Sequence, residues 1–125
     1  MTELKHKEIT EKIIGAAFEV HKELGNGFQE VIYQRALAYE FAQKNLEFAR
    51  EIEQDIWYKE LAHPLGTRRA DFVVEGNVLV ELKAIKELED VHLAQALNYL
   101  KAYQLEVGLL INFGSKSMTF KRLVR

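Results

Sequence analysis

Residues 68–84 read RRADFVVEGNVLVELKA, two short apolar runs joined across Gly76-Asn77. β-Branched residues on either side of a Gly-Asn pair spell a β-hairpin. The hairpin carries charge where an apolar strand normally carries none: Asp71 stands near the start of the first run, and Glu81 and Lys83 interrupt the second. Side chains alternate between faces along a strand, so Glu81 and Lys83 share one face. Charge beside Val78-Leu79-Val80 is costly to bury unless it is paired or holds a metal. A fold for this chain must contain a sheet, and the sheet must give these groups a purpose.

The turn decides whether they meet. If Glu75-Gly76-Asn77 form a three-residue loop, Val74 faces Val78 and Asp71 falls opposite Glu81, on the same side. If Gly76-Asn77 alone turn the chain, Asp71 falls opposite Leu82 and the acids are split between faces. A converged cluster requires the odd loop or a compensating bulge.

Around this hairpin the remaining patterns arrange themselves. Ile9, Ile13, Ala16, Ala17, Val20 and Leu24 recur at helical spacing, and Gly25-Asn26-Gly27 ends that helix. A second helix is expected from about Phe28 to Lys44. One of its stripes is Phe28, Ile32, Ala36 and Tyr39 and another is Glu30, Tyr33, Leu37 and Phe41, so it should be largely buried. From Leu46 to Tyr58 apolar residues alternate with Glu47, Glu51, Glu53 and Asp55, the pattern of a strand with one wet face, bent midway. Lys59 to Thr67 reads as a loop. After the hairpin come a helix from Glu89 to Ala102, a buried strand from Glu106 to Phe113, and a last strand from Met118 to Val124. The result is an α/β chain with a mixed central sheet flanked by helices.

With 125 residues, 48% hydrophobic and 29% charged, the expectation is one domain over residues 1–125. A net charge of −2 supplies no global basic field, so contact with a polyanion needs a local patch. Arg68, Arg69 and Lys86 form one candidate; Lys116, Lys121, Arg122 and Arg125 form a second. The absence of cysteine excludes disulfides and thiolate metal sites. No secretory signal and no membrane-length apolar run are visible, so the reading is a cytoplasmic protein without membrane association.

An Asp followed about ten residues later by Glu-x-Lys on the adjacent strand suits phosphodiester hydrolysis. Mg²⁺, or Mn²⁺ in its place, takes oxygen ligands and keeps several waters, so Asp71, Glu81 and the carbonyl of Leu82 suffice as protein ligands. Lys83 can orient the attacking water or stabilise charge in the transition state. Glu30 can contact a metal water or a second ion, and Gln95 can hold the lysine, the water or the nucleic-acid backbone. Plainer readings exist for each. Asp71 and Lys83 can be a structural ion pair, Glu30 a helix-dipole charge, and Gln95 a polar residue at a helix–sheet boundary. His92, one turn before Gln95, can simply be exposed, and His21 and His63 read as surface residues. Tyr33 and Tyr99 read as core aromatics with tethered hydroxyls. A surplus of acid over one lysine in apolar surroundings favours a cation site.

The order Asp71, Glu81-Leu82-Lys83 and a helix bearing Gln95 resembles the PD-(D/E)XK nuclease superfamily. More narrowly, Gly27-Phe28-Gln29-Glu30-Val31-Ile32-Tyr33 resembles the signature of the GxxExxY proteins, a small-domain branch of it. Arg69-Ala70-Asp71, Val80 to Ala84, Gln95 to Leu100 and Gly108 to Phe113 also resemble that branch, so the likeness runs from about Ile9 to Val124. Residue 70 is Ala where the superfamily name has Pro, as is usual in the branch. The resemblance implies a restriction-endonuclease-like core and assigns Glu30, Asp71, Glu81, Lys83 and Gln95 to site positions. It implies a nuclease using Mg²⁺ or Mn²⁺, with DNA expected in preference to RNA. A homodimer is the assembly expected of a small domain of high apolar content that cleaves a duplex, with no residue specifying the interface. The alternative is an inactive nuclease-fold module that binds nucleic acid or protein.

Overall fold

A computed structural model describes residues 5–125. Eight elements follow in order: α1 (Lys7–Leu24), α2 (Glu30–Gln43), β1 (Phe48–Ile56), β2 (Gly66–Val74), β3 (Val78–Lys83), α3 (Asp90–Ala102), β4 (Val107–Asn112) and β5 (Thr119–Val124). The strands form one sheet in the order β1-β2-β3-β4-β5. All neighbours are antiparallel except β3 and β4, which are parallel. Parallel neighbours cannot be joined by a tight turn, and α3 is the crossover between them.

Two apolar layers sandwich the sheet. Ile13, Ala16, Ala17 and Val20 of α1 and Tyr33, Leu37 and Phe41 of α2 pack with Phe72, Val74, Val80, Leu82, Leu109 and Ile111. On the other face Ala96 and Leu100 of α3 pack with Leu79, Leu110 and Leu123. The continuous burial of β4, Val107 to Asn112, follows from being covered on both sides. No helix among the described residues is long and apolar enough to cross a membrane.

The second helix departs from expectation. Only the stripe of Tyr33, Gln34, Leu37 and Phe41 is buried, whereas Val31, Ile32 and Tyr39 are exposed, Tyr39 at 63%. The helix lies at the outside of its layer, and one face suffices to meet α1 and the sheet. The hairpin turns through the three-residue loop Glu75-Gly76-Asn77, with Val74 facing Val78. Glu75 and Gly76 both have positive φ, 53° and 67°, and the Asn77 N–H donates to the Val74 carbonyl at 3.0 Å, so the tight turn is centred one residue earlier than Gly76-Asn77. Asn77 is the extra residue that lets Val74 pair with Val78.

Candidate active site

The site forms where the β1–β2–β3 ladder breaks. β2 pairs with β3 from Val74↔Val78 to Phe72↔Val80, which carries Asp71 opposite Glu81. On the other side Arg50 pairs with Phe72 and Ile52 with Ala70, which carries Glu51 opposite Asp71. Three acids thus stand abreast in one row, where like charges directly opposite are unfavourable. The row is distorted accordingly. Glu51 has φ 54°, a left-handed value rare for such a residue. Phe72 packs against α1 and α2, yet Ala70, two residues earlier, packs with the α3 cluster. Regular alternation would put both on one face.

Into the gap goes the Asp71 carboxylate. The Leu82 N–H donates to its Oδ2 at 2.8 Å, and Gln34 Nε2 donates to its Oδ1 at 2.9 Å. The Asp71 N–H in turn donates to Glu81 Oε1 at 3.2 Å. A bond from the Leu82 amide lies in the plane of the sheet, so the carboxylate sits between β2 and β3 rather than over the far face. Within a strand, the N–H and C=O of one residue point to the same side. The Leu82 carbonyl is therefore directed to the side of the strand where Asp71 lies.

The electrostatics follow from this crowding. Burial, then the neighbouring Asp71 charge, pushes the Glu81 carboxyl up to about 8. Burial also raises Asp71, against the hydrogen bonds from Leu82 and Gln34 that lower it; Lys83 lowers it further and Glu51 raises it. Glu30, at the first turn of α2, is raised by burial and by Asp71, with Lys83 opposing. Among the described residues Lys83 forms no ion pair within 4.0 Å, the pairs being Lys5–Glu106, Lys7–Glu11 and Arg69–Glu53. A simple structural salt bridge between Asp71 and Lys83 is not what the geometry contains.

Glu81 and Lys83 open into a small pocket of about 30 Å³ lined also by His92, Gln95 and Tyr99 of α3. Gln95 thus shares a pocket with Glu81 and Lys83. No group of three His, Asp or Glu side chains poised to hold a metal occurs among the described residues. A set of two carboxylates and one main-chain carbonyl falls below that number.

The Gly27–Tyr33 block acquires a physical meaning residue by residue. Gly27 has φ 107°, accessible to glycine alone at no steric cost. Glu30 opens α2 beside the site. Tyr33 is fully buried, accepts a bond from the Phe28 N–H, donates to the Gly25 carbonyl at 2.7 Å, and stacks on Phe113 at 4.7 Å. Its tethered hydroxyl is as expected, but Tyr99 differs: it is half-buried, with the Arg68 guanidinium over its ring at 5.7 Å. The tethered tyrosine near the site is Tyr103, which accepts from the Ala70 N–H and donates to the Ile52 carbonyl.

Two residues beside the cluster escaped the sequence reading. Gln34 is one helical turn beyond Glu30, a spacing that puts both on one face of α2, and Glu51 looked like one member of a wet strand face. His21 is not a surface residue: it is half-buried, with Nε2 3.1 Å from the Ser115 carbonyl. His63 is exposed. His92 is half-buried and closes the start of α3, its Nδ1 accepting the Glu89 N–H at 2.9 Å. The basic patches are partly committed. Arg69 is paired with Glu53, Arg122 bonds Thr10 and the Lys5 carbonyl, and Arg125 bonds the Leu105 carbonyl. Arg68 bonds the Asn98 carbonyl, while Lys86, Lys116 and Lys121 stay exposed.

The family described as the PD-(D/E)XK nuclease superfamily matches residues 7–123. No curated protein matches the chain significantly. Among solved structures, one titled "Crystal structure of SSO0001" is similar over 94% of this chain and 77% of that one, at 16% identity and a TM-score of 0.49.

Proposed function

We propose that this chain, which belongs to the PD-(D/E)XK nuclease superfamily, is a metal-dependent nuclease that hydrolyses a nucleic-acid phosphodiester, DNA in preference to RNA. The observation that carries the reading is the row of acids at the broken ladder, with Asp71, Glu81 and Glu30 all raised and Lys83 unpaired among the described residues. Carboxyls held reluctant to ionise by burial and by one another are groups that a cation relieves. Hard oxygen donors of this kind fit Mg²⁺ or Mn²⁺. Asp71, Glu81 and the Leu82 carbonyl would hold the ion, with Glu30 at its outer side. A bound ion there supplies Lewis-acid polarisation of the phosphate and acidifies a water.

The chain's own groups do the rest. Gln34 and the Leu82 amide fix the Asp71 carboxylate between the strands. Lys83 donates to the attacking water or to charge developing on the phosphoryl oxygens. Gln95 lies where it can orient the same water or the substrate backbone. The Gly27–Tyr33 block supports placement in the GxxExxY branch, and the whole chain is read as one cytoplasmic domain. A homodimer belongs to this reading, because Val31, Ile32 and Tyr39 leave an apolar stripe of α2 exposed. Purified protein with Mg²⁺ or Mn²⁺ should cleave single- or double-stranded DNA, and Lys83→Ala should lower the rate at least about a hundred-fold. Full activity in that variant rejects the assignment.

One feature favours a second reading, a binding module without activity. Both Asp71 oxygens already accept hydrogen bonds from the chain, and no three acidic or imidazole side chains are placed to hold one metal ion among the described residues. Calorimetric titration separates the two: no heat with millimolar Mn²⁺ or Mg²⁺, together with retained nucleic-acid affinity, selects the module.

A further inference from the structure

Beside the pocket of Glu81 and Lys83 runs a larger open groove of about 650 Å³. It lies between the outer end of the β1–β2 hairpin and α3, and shares Gln95 and Tyr99 with the smaller pocket, so the two adjoin. Its walls combine cations with aromatic faces. Trp57, just past β1, is 59% exposed. Arg68 lies over the Tyr99 ring and donates to the Asn98 carbonyl at 3.3 Å. That is the sole protein acceptor for its five donors among the described residues. Lys101 is exposed and, among the described residues, without an ion-pair partner. No acid lines the groove, in a chain whose net charge is −2.

A void of this size takes up a compact organic ligand, of the class that fills pockets of about 300–1,000 Å³, and one or two nucleotides are of that class. Cations tracking a backbone with aromatic rings beside them are how proteins grip unpaired strands, since every base has a π-face to stack. We propose that this groove is a subsite for one or two unpaired nucleotides adjoining the scissile phosphate, with Trp57 stacking on a base and Arg68 and Lys101 contacting phosphate. The proposal rests on the nuclease reading for the identity of the strand, and it makes the substrate a single strand or a frayed end rather than intact duplex. Trp57 is 59% exposed, so its replacement does not open the core.

The test is binding without divalent metal, which separates it from catalysis. Trp57 is the chain's one tryptophan, so its fluorescence reports this groove alone. In EDTA, a short oligothymidylate should quench it saturably, with affinity that falls as salt rises, and a blunt duplex of equal length should quench it far less. By anisotropy of a labelled oligothymidylate, Trp57→Ala and Arg68→Ala should each weaken binding about ten-fold, while Trp57→Phe keeps most of it. Equal quenching by the duplex, unchanged affinity in Trp57→Ala, or no binding of the oligothymidylate overturns the subsite. Strong binding without cleavage under any metal leaves the subsite standing and removes the nuclease assignment instead.

Discussion

Glu81 shows what one carboxyl can reveal about a site. Its pKa is raised from 4.5 in the free group to about 8 in the fold, by burial first and the Asp71 charge second. Below pH ~4.5 it is protonated in both states. Between there and about 8 the unfolded chain releases the proton and the folded chain keeps it, so the unfolded state binds fewer protons and stability falls as pH rises. Above that window both are ionised and this contribution is flat. Metal-free protein should therefore lose stability across this range, with a slope of at most about 1.4 kcal/mol per pH unit from this group. Denaturant midpoints at a series of pH values would show it, and Glu81→Gln should flatten the curve. Asp71 and Glu30, both raised, act in the same direction. Gln34 belongs to the same scale. It is buried and holds one Asp71 oxygen at 2.9 Å, so Gln34→Leu should cut activity or metal affinity roughly ten- to a hundred-fold while the fold persists. A circular dichroism spectrum beside the activity assay separates that loss from unfolding.

At the scale of elements, the end of β3 must be held still for Lys83 to act as proposed. The Phe113 N–H donates to the Lys83 carbonyl at 2.8 Å. The fully buried Asn112 then clasps the following segment: its Oδ1 accepts from the Ile85 and Gly114 N–H groups, each at 3.0 Å, and its Nδ2 donates to the Ile85 carbonyl at 2.9 Å. The clasp brings the chains so close that a Cβ on Gly114 would lie 2.2 Å from the Ile85 backbone. Backbone cannot swing aside as a side chain can. Gly114→Ala should cost about 3 kcal/mol or more, read from urea midpoints, and should lower activity through displacement of β3. The sequence shows a Gly-Ser turn after a buried strand. Nothing in it says that the glycine is pressed against a segment nearly thirty residues earlier.

For the whole molecule, the proposed cation site would couple metal binding to the fold. A ligand that binds the folded state alone adds stability in proportion to the logarithm of its concentration over Kd, about 2.7 kcal/mol at a hundred-fold excess. Mn²⁺ or Mg²⁺ should raise the thermal midpoint by several degrees, EDTA should reverse the shift, and Asp71→Asn should abolish it. The gain should be larger at pH 8 than at pH 5, because at pH 5 protons still hold the Glu81 site. A midpoint indifferent to both cations across that range, in protein free of contaminating metal, counts against the cation site as drawn.

Local patterns sufficed for much of this architecture. Element order, the hairpin and the apolar stripe of α1 follow from periodicity and turn residues, because helix and strand spacing are properties of neighbouring residues. Asp71, Glu81 and Lys83 were legible for the same reason: charge inside an apolar strand is anomalous wherever the strand ends up. Other features depend on which surfaces meet. The stripe of Phe28, Ile32, Ala36 and Tyr39 has the composition of a buried face, and Phe28, Ile32 and Tyr39 are exposed because the helix packs through Tyr33, Leu37 and Phe41. Glu51 joins the acid row through the alignment of β1 on β2, between the pairs Arg50↔Phe72 and Ile52↔Ala70, and Gln34 reaches Asp71 across 37 positions of chain. Such contacts are between elements rather than within them, so no window of sequence contains them.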